Sequence, residues 1–273
     1  MRHALVLCAA AGLAAGLAGQ PAVAQSDDRT AAEFDKFREV LEEANPAELW
    51  ELKGEELWKT RRGPKNASLE QCDLGLGPGV VKGAYVQMPR YFADTGKVMD
   101  AEQRIVHCMI TLQGFKYEEL AKAPFSRGNY TPDPVSIVTY VAAQSREMKI
   151  AVPQSHPKER ETYEIGKQIF YYRAGPWDFS CASCHGEDGL RIRTQNLPNF
   201  TKPGAQAARS FIGWPGYRMT GGVMHSLQWR MNDCFRQQRF PEPGYASDTI
   251  AALLTYMGVN SNGELYRGPG IKR

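Results

Sequence analysis

The chain has 273 residues, 42% of them hydrophobic, with 33 basic and 30 acidic side chains and a formal net charge of +3. That is enough apolar material to bury a core, so a wholly disordered chain is excluded, and the length allows one large domain or two ordinary ones. The near-neutral balance, with no basic stripe interleaved with aromatics, gives no case for nucleic-acid binding, and six cysteines are too few for a disulfide scaffold of this size.

Residues 1–24 read MRHALVLCAAAGLAAGLAGQPAVA. A basic start, an apolar run and the A-x-A pattern Ala22-Val23-Ala24 predict a secretory signal peptide. The run is short and broken by Gly, Gln and Pro, which argues against a membrane anchor. Cys8 lies inside it and should leave with it. No later run reaches the roughly 18 apolar residues of a span, so the mature chain is expected to be exported without a membrane span. Five cysteines then remain, and an odd count in an oxidising compartment gives at least one of them another task.

Residues 25–68 are expected to form an N-terminal helical extension. Phe34, Phe37, Val40, Leu41 and Ala44 recur at helical spacing. Asn45-Pro46 reads as a cap and a first-turn proline restarting a helix with Leu49, Leu52 and Leu57. Residues 69–150 and 162–273 make two larger regions. Residues 151–161, polar with two prolines, look like a linker between them. The second region opens on a predicted helix with Ile165, Ile169 and Phe170. It closes on another, capped at Ser247-Asp248, with Ile250, Leu253, Leu254 and Met257. The expected class is mostly α. The Gly- and Pro-rich stretch between these helices implies long loops, and long loops in a compact domain need something to pack on, such as a cofactor.

Cys181-Ala182-Ser183-Cys184-His185 is C-x-x-C-H, the attachment signature of c-type haem. Two thiols can add to the haem vinyl groups while the imidazole of His185 reaches the iron. A thioredoxin-like pair would need a βαβ context, which is absent, and zinc would need two further spaced ligands. Pro198, 13 residues past His185, offers a carbonyl that could accept the Nδ1 proton and set the tautomer.

The two regions resemble each other. Cys72 aligns with Cys181 at an offset of 109, which places Gly77 on Gly186 and Met88-Pro89 on Leu197-Pro198. Thr95–Met99 matches Thr220–Met224 at 125, and Arg104 and Cys108 match Arg230 and Cys234 at 126. Ile137–Tyr140 matches Leu253–Tyr256 at 116. The first copy has Gly75 and Leu76 where the second has Cys184 and His185, so it should hold no haem. Its two surviving thiols, Cys72 and Cys108, are expected to form a disulfide in an oxidising compartment.

Cys234 is then left over, with Arg230, Arg236 and Arg239 within five residues of it. Guanidinium groups favour a thiolate and supply forks for anions. Met219, Met224, His225, Cys234 and Met257 are all candidates for the second axial position on iron.

C-A-S-C-H followed by R-M-N-D-C-F-R-Q-Q-R-F-P, behind a degenerate cytochrome copy, resembles the SoxA family over essentially the whole mature chain. The resemblance implies two tandem cytochrome c-like domains and a periplasmic subunit that pairs with a small cytochrome, SoxX. It implies an L-cysteine S-thiosulfotransferase that oxidatively couples thiosulfate to a cysteine of the carrier SoxYZ. Cys234 would be both axial ligand and reaction centre, able to carry a persulfide. Arg230 would bind substrate, with Arg239 and Arg236 as weaker candidates. Many members carry haem in both halves; Gly75 and Leu76 depart from that pattern, so one covalently bound haem is expected. The competing expectation is a plain electron-transfer cytochrome c with Met224 or Met219 on iron.

Overall fold

The computed structural model describes residues Glu33, Lys36, Phe37, Val40, Leu41, 43–192 and 195–272. The expected signal peptide and most of the first extension helix lie outside the described residues. The first half of the chain holds helix α1 (Glu48–Lys59), strands β1 (Arg90–Phe92) and β2 (Lys97–Met99), helix α2 (Ala101–Cys108) running into a π-helical turn, then α3 (Tyr117–Ala121) and α4 (Asp133–Ala143). The second half holds α5 (Pro157–Tyr171), α6 (Ala182–His185), β3 (Arg191–Ile192), β4 (Gln195–Asn196) and α7 (Ala205–Phe211). It continues with β5 (Gly216–Arg218), β6 (Val223–His225), α8 (Leu227–Gln237), α9 (Asp248–Asn260) and β7 (Gly270–Lys272). Helices dominate, as the periodicity predicts. No helix among the described residues is long and apolar enough to cross a membrane.

Each half is built on one close helix crossing. α1 lies across α4, and α5 across α9. A Cβ at Gly54 would stand 2.1 Å from the Ser136 carbonyl oxygen and 2.8 Å from Tyr140 Cβ. A Cβ at Gly166 would stand 1.9 Å from the Ala252 carbonyl oxygen and 3.1 Å from Tyr256 Cβ. Only glycine allows such backbone contact within a helix, which is why it occurs here despite its cost of about 1 kcal/mol relative to alanine. The crossings also place Trp58 and Phe170 in the core.

Each half then carries a short antiparallel hairpin followed by a capped helix. β1 pairs with β2, and β5 with β6. Asp100 caps α2 by accepting from the Glu102 and Gln103 amides, and the Gln103 side chain returns the bond. Ser226 caps α8 by accepting from the Trp229 amide. Pro89 immediately precedes β1 and Pro215 immediately precedes β5, again 126 residues apart. The structure thus sets Pro89 against Pro215, not against Pro198 as the ungapped alignment had it.

Two segments differ from expectation. Leu49 and Leu52 are 67% and 65% exposed, because α1 buries its Gly54 and Trp58 side against α4. The segment 151–161 is no free linker. The Ala151 amide donates to the Val86 carbonyl, Asn262 bonds both the amide and the carbonyl of Val152, and α5 already begins at Pro157.

Cys72 and Cys108 are joined in a disulfide with Cα atoms 5.7 Å apart. It borders a cavity of about 170 Å³ shared with Asp73, Asp94, Arg104 and His107. Arg104 is held here on two of its three nitrogens. Its Nε donates to the Asp73 carbonyl, its Nη1 to both Asp94 oxygens, and its guanidinium lies 4.1 Å over Phe92.

Candidate functional site

The C-x-x-C-H residues form α6 and its cap. The Ser180 and Ser183 side chains bond each other's amides, which starts the turn, and the His185 amide donates to the Cys181 carbonyl at 2.9 Å. This single turn brings both thiols and the imidazole toward one side. His185 Nδ1 lies 3.0 Å from the Pro198 carbonyl oxygen, the partner foreseen from the spacing. A carbonyl there makes Nδ1 the donor and leaves Nε2 as the free basic nitrogen. Phe200 packs 5.2 Å from the imidazole, and its amide returns to the His185 carbonyl, so the intervening loop folds back on the motif.

α8 supplies the opposite wall. Cys234 and Arg230 are one turn apart on it. Cys181, Cys184 and Cys234 are all free thiols. They are mutual neighbours: Cys234 and Cys184 both disfavour ionisation of Cys181, and Cys184 disfavours that of Cys234. Burial holds His185 down at about 4, with Arg230 adding to the effect against the Pro198 bond. The positive charge of Arg230 thus reaches both His185 and Cys234.

The Cys234 thiol is not activated by this environment alone. Burial pushes its pKa up, and Asp233 and Cys184 push the same way; Arg230 opposes them and loses. Of the three arginines expected to favour a thiolate, Arg230 does so, against the larger effect of burial. Arg236 is 64% exposed at its side chain and turned to Asp233, and Arg239 lies over the Trp177 ring at 5.1 Å. Among the arginines of the described residues, Arg230 is the one that acts on the thiol. A buried thiol against one guanidinium stays protonated unless a stronger cation faces it.

The three methionine candidates fall elsewhere, whereas His225 stays beside α8, where the Asp233 charge acts on it. Met224 is fully buried against Ala47 and Val135, and its carbonyl accepts from the Ser126 hydroxyl. Met257 lies in the main core, and Met219 is exposed. His225 is buried with its ring stacked 3.7 Å from Trp229. Among the described residues no three His, Cys, Asp or Glu side chains are gathered as a bare metal ion requires. The C-x-x-C-H donors therefore fit a covalently held haem, with two thiols for attachment and an imidazole for iron, better than zinc.

Two residues near the site were not singled out from sequence. Trp177 holds Arg239, and Asp233 holds Arg230. The second was legible in principle, since Asp233 sits three residues from Arg230 on a predicted helix face. The first was not, because Trp177 and Arg239 are 62 residues apart.

Comparison with known proteins adds a lineage. The family model for the SoxA/TsdA cytochrome c domain matches residues 53–150, the part of the chain without C-x-x-C-H. The L-cysteine S-thiosulfotransferase subunit SoxA of Hydrogenophilus thermoluteolus is 50% identical over 93% of this chain and 93% of its own. A protein of the same description from Hydrogenobacter thermophilus is 34% identical over 92% of each chain. A chain of the SoxXA crystal structure from P. pantotrophus superposes with a TM-score of 0.70 at 26% identity, covering 87% of this chain and 84% of that one.

Proposed function

Since the chain belongs to the SoxA family of L-cysteine S-thiosulfotransferase subunits, we propose that Cys234 is its reaction centre and that it holds a single haem. Cys181 and Cys184 would hold it through thioether links, and His185 and Cys234 would ligate its iron. The observation that carries this reading is the meeting of Cys234, Arg230, His185 and the two motif thiols between α6 and α8. When bound, the haem supplies a ferric ion that stabilises the thiolate and accepts electrons one at a time.

The residues of the chain do the rest. Arg230 binds the anionic sulfonate oxygens of thiosulfate, which match a guanidinium fork. Cys234 carries the sulfur intermediate. A thiol of the carrier SoxYZ and thiosulfate become a thiosulfonate-capped cysteine, with one S–S bond formed, one proton released and two electrons passed on. SoxX is the partner cytochrome, and the periplasm is the compartment that the leader implies. The Pro198 carbonyl fixes the His185 ring, and Phe200 keeps water from it.

In the same reading the chain is two tandem cytochrome c-like domains. The twin glycine crossings and twin hairpin-and-helix modules support the duplication. The first domain is haemless. Gly75 stands at the Cys184 position, and a Cβ there would meet the Arg90 side chain at 2.4 Å. Arg90 thus fills the place where a second thioether sulfur would stand, and Cys72 is engaged with Cys108.

Mass spectrometry of Cys234 in the isolated protein tests the reading. An extra sulfur there, with loss of thiosulfate-dependent turnover with SoxX and SoxYZ in Cys234→Ala, is expected. Full turnover in Cys234→Ala would sink it.

A further inference from the structure

Asp233 precedes Cys234 and is the most densely bonded side chain at the site. Its carboxylate is only 7% exposed. Oδ2 accepts from Arg230 Nη1 at 3.2 Å and from Gln237 Nε2 at 2.6 Å, and Oδ1 accepts from Arg236 Nη2 at 2.6 Å. Three donors from one helix face therefore converge on one acid.

Helix propensity and the dipole give no reason for an acid here, and its i,i+3 pairs are each worth only about 0.2–0.5 kcal/mol. Aspartate is a weak helix former, and Asp233 lies in the C-terminal half of α8, where the dipole disfavours negative charge. Its charge also works against ionisation of the neighbouring Cys234. What the acid achieves is geometric. An arginine side chain has several free torsions, and an anion that must first order it binds less tightly. Arg230 has one terminal nitrogen engaged by a buried partner, and its side chain is 29% exposed. Among the described residues no further hydrogen bond holds it, so its other donors face a ligand in a fixed orientation.

We propose that Asp233 is a positioning residue: it holds the Arg230 guanidinium beside Cys234 so that the anionic end of the substrate meets an already ordered fork. Asp233 acts through Arg230, with Gln237 sharing Oδ2 and Arg236 holding Oδ1, so that the carboxylate is fixed. The inference rests on the assignment of Arg230 and Cys234 above.

The test uses the haem-loaded chain in complex with SoxX, assayed with thiosulfate and SoxYZ, and titrated with thiosulfate alone by calorimetry. In Asp233→Asn the KM and the Kd for thiosulfate should rise about tenfold while kcat moves less than about threefold, the pattern of lost ground-state binding. In an Arg230→Met background the same substitution should add nothing, because the residue it positions is gone. A KM that falls in Asp233→Asn would show the acid acting only by damping positive charge, and would overturn the proposal. So would an Asp233→Asn effect that persists undiminished with Arg230→Met. If Asp233→Asn does not accumulate with haem, Asp233→Glu, which moves the carboxylate outward by one methylene, should show the same split. Absence of thiosulfate turnover in the wild-type complex would instead count against the parent reading, so the two failures are distinguishable.

Discussion

Gln228 Nε2 donates to Asp100 Oδ2 at 2.6 Å, and this bond ties the helix of Cys234 to the N-cap of its counterpart in the first half. The arrangement is reciprocal. Ser226, the cap of α8, faces the Glu102 carboxyl, so each cap meets the second helical residue of the other module. Both acids are buried, Glu102 also accepts from the Tyr245 hydroxyl at 2.7 Å, and a void of about 20 Å³ lies between them. The half without C-x-x-C-H is therefore a mount for the helix that carries Arg230 and Cys234.

A pH dependence follows from that mount. Burial raises Asp100 from 3.8 to about 6 and Glu102 from 4.5 to about 8. A raised acid favours the protonated folded state, so its contribution is fullest below the unfolded value and is lost as pH climbs through the folded one. Stability should fall from about pH 4 to about pH 8.5, read as a falling Tm. Glu102→Gln, which stays neutral, should flatten the upper part of that fall. Thermal melts of both proteins across the range check it, and parallel curves would show that Glu102 does not titrate there.

The disulfide is expected to carry a large share of the stability of the first half. Cys72 and Cys108 close a loop with a sequence separation of 36, and replacing both by serine should cost about 4 kcal/mol in the chain-entropy model. Denaturant midpoints measure this. In the oxidised haem-loaded protein, denaturation should expose one titratable thiol, that of Cys234; a count of three would mean that the bond does not form.

The glycine crossings give a sharp stability test. Gly166→Ala gains about 1 kcal/mol in helix propensity yet drives a methyl into the Ala252 carbonyl, 1.9 Å away. A net loss of about 2 kcal/mol is expected. A midpoint equal to wild type in urea unfolding would show that α5 and α9 separate without cost.

Axial ligation separates the thiol from the methionines. Met224→Leu and Met219→Leu should leave the oxidised visible spectrum unchanged, since one is sealed against Ala47 and Val135 and the other is exposed. Cys234→Met should shift the spectrum and raise the reduction potential, because a thioether favours ferrous iron more than a thiolate does. A near-infrared methionine band in the wild type would contradict the assignment of Cys234.

Much of the site was legible in order and spacing. C-x-x-C-H is a local device: one helical turn suffices to present two thiols and an imidazole, so sequence alone determines it. Pro198 was within reach for the same reason, as a carbonyl at a loop's length from His185. The helices Pro157–Tyr171 and Asp248–Asn260 showed in their apolar period, and the pairing of Cys72 with Cys108 followed from the division of the thiols. What the tertiary structure decided was which long-range neighbour wins at each group. Proximity of arginines in sequence promised an activated thiol, but Asp233 draws off Arg236, Trp177 takes Arg239, and burial outweighs Arg230. Packing sends Met224 toward Ala47 and away from the motif, and turns Cys234 toward Cys184. Side-chain chemistry is written in the residue type, but the energy of a charge depends on distance and solvation. Those are set only when segments 62 to 128 residues apart, such as Trp177 with Arg239 and Asp100 with Gln228, have been brought together.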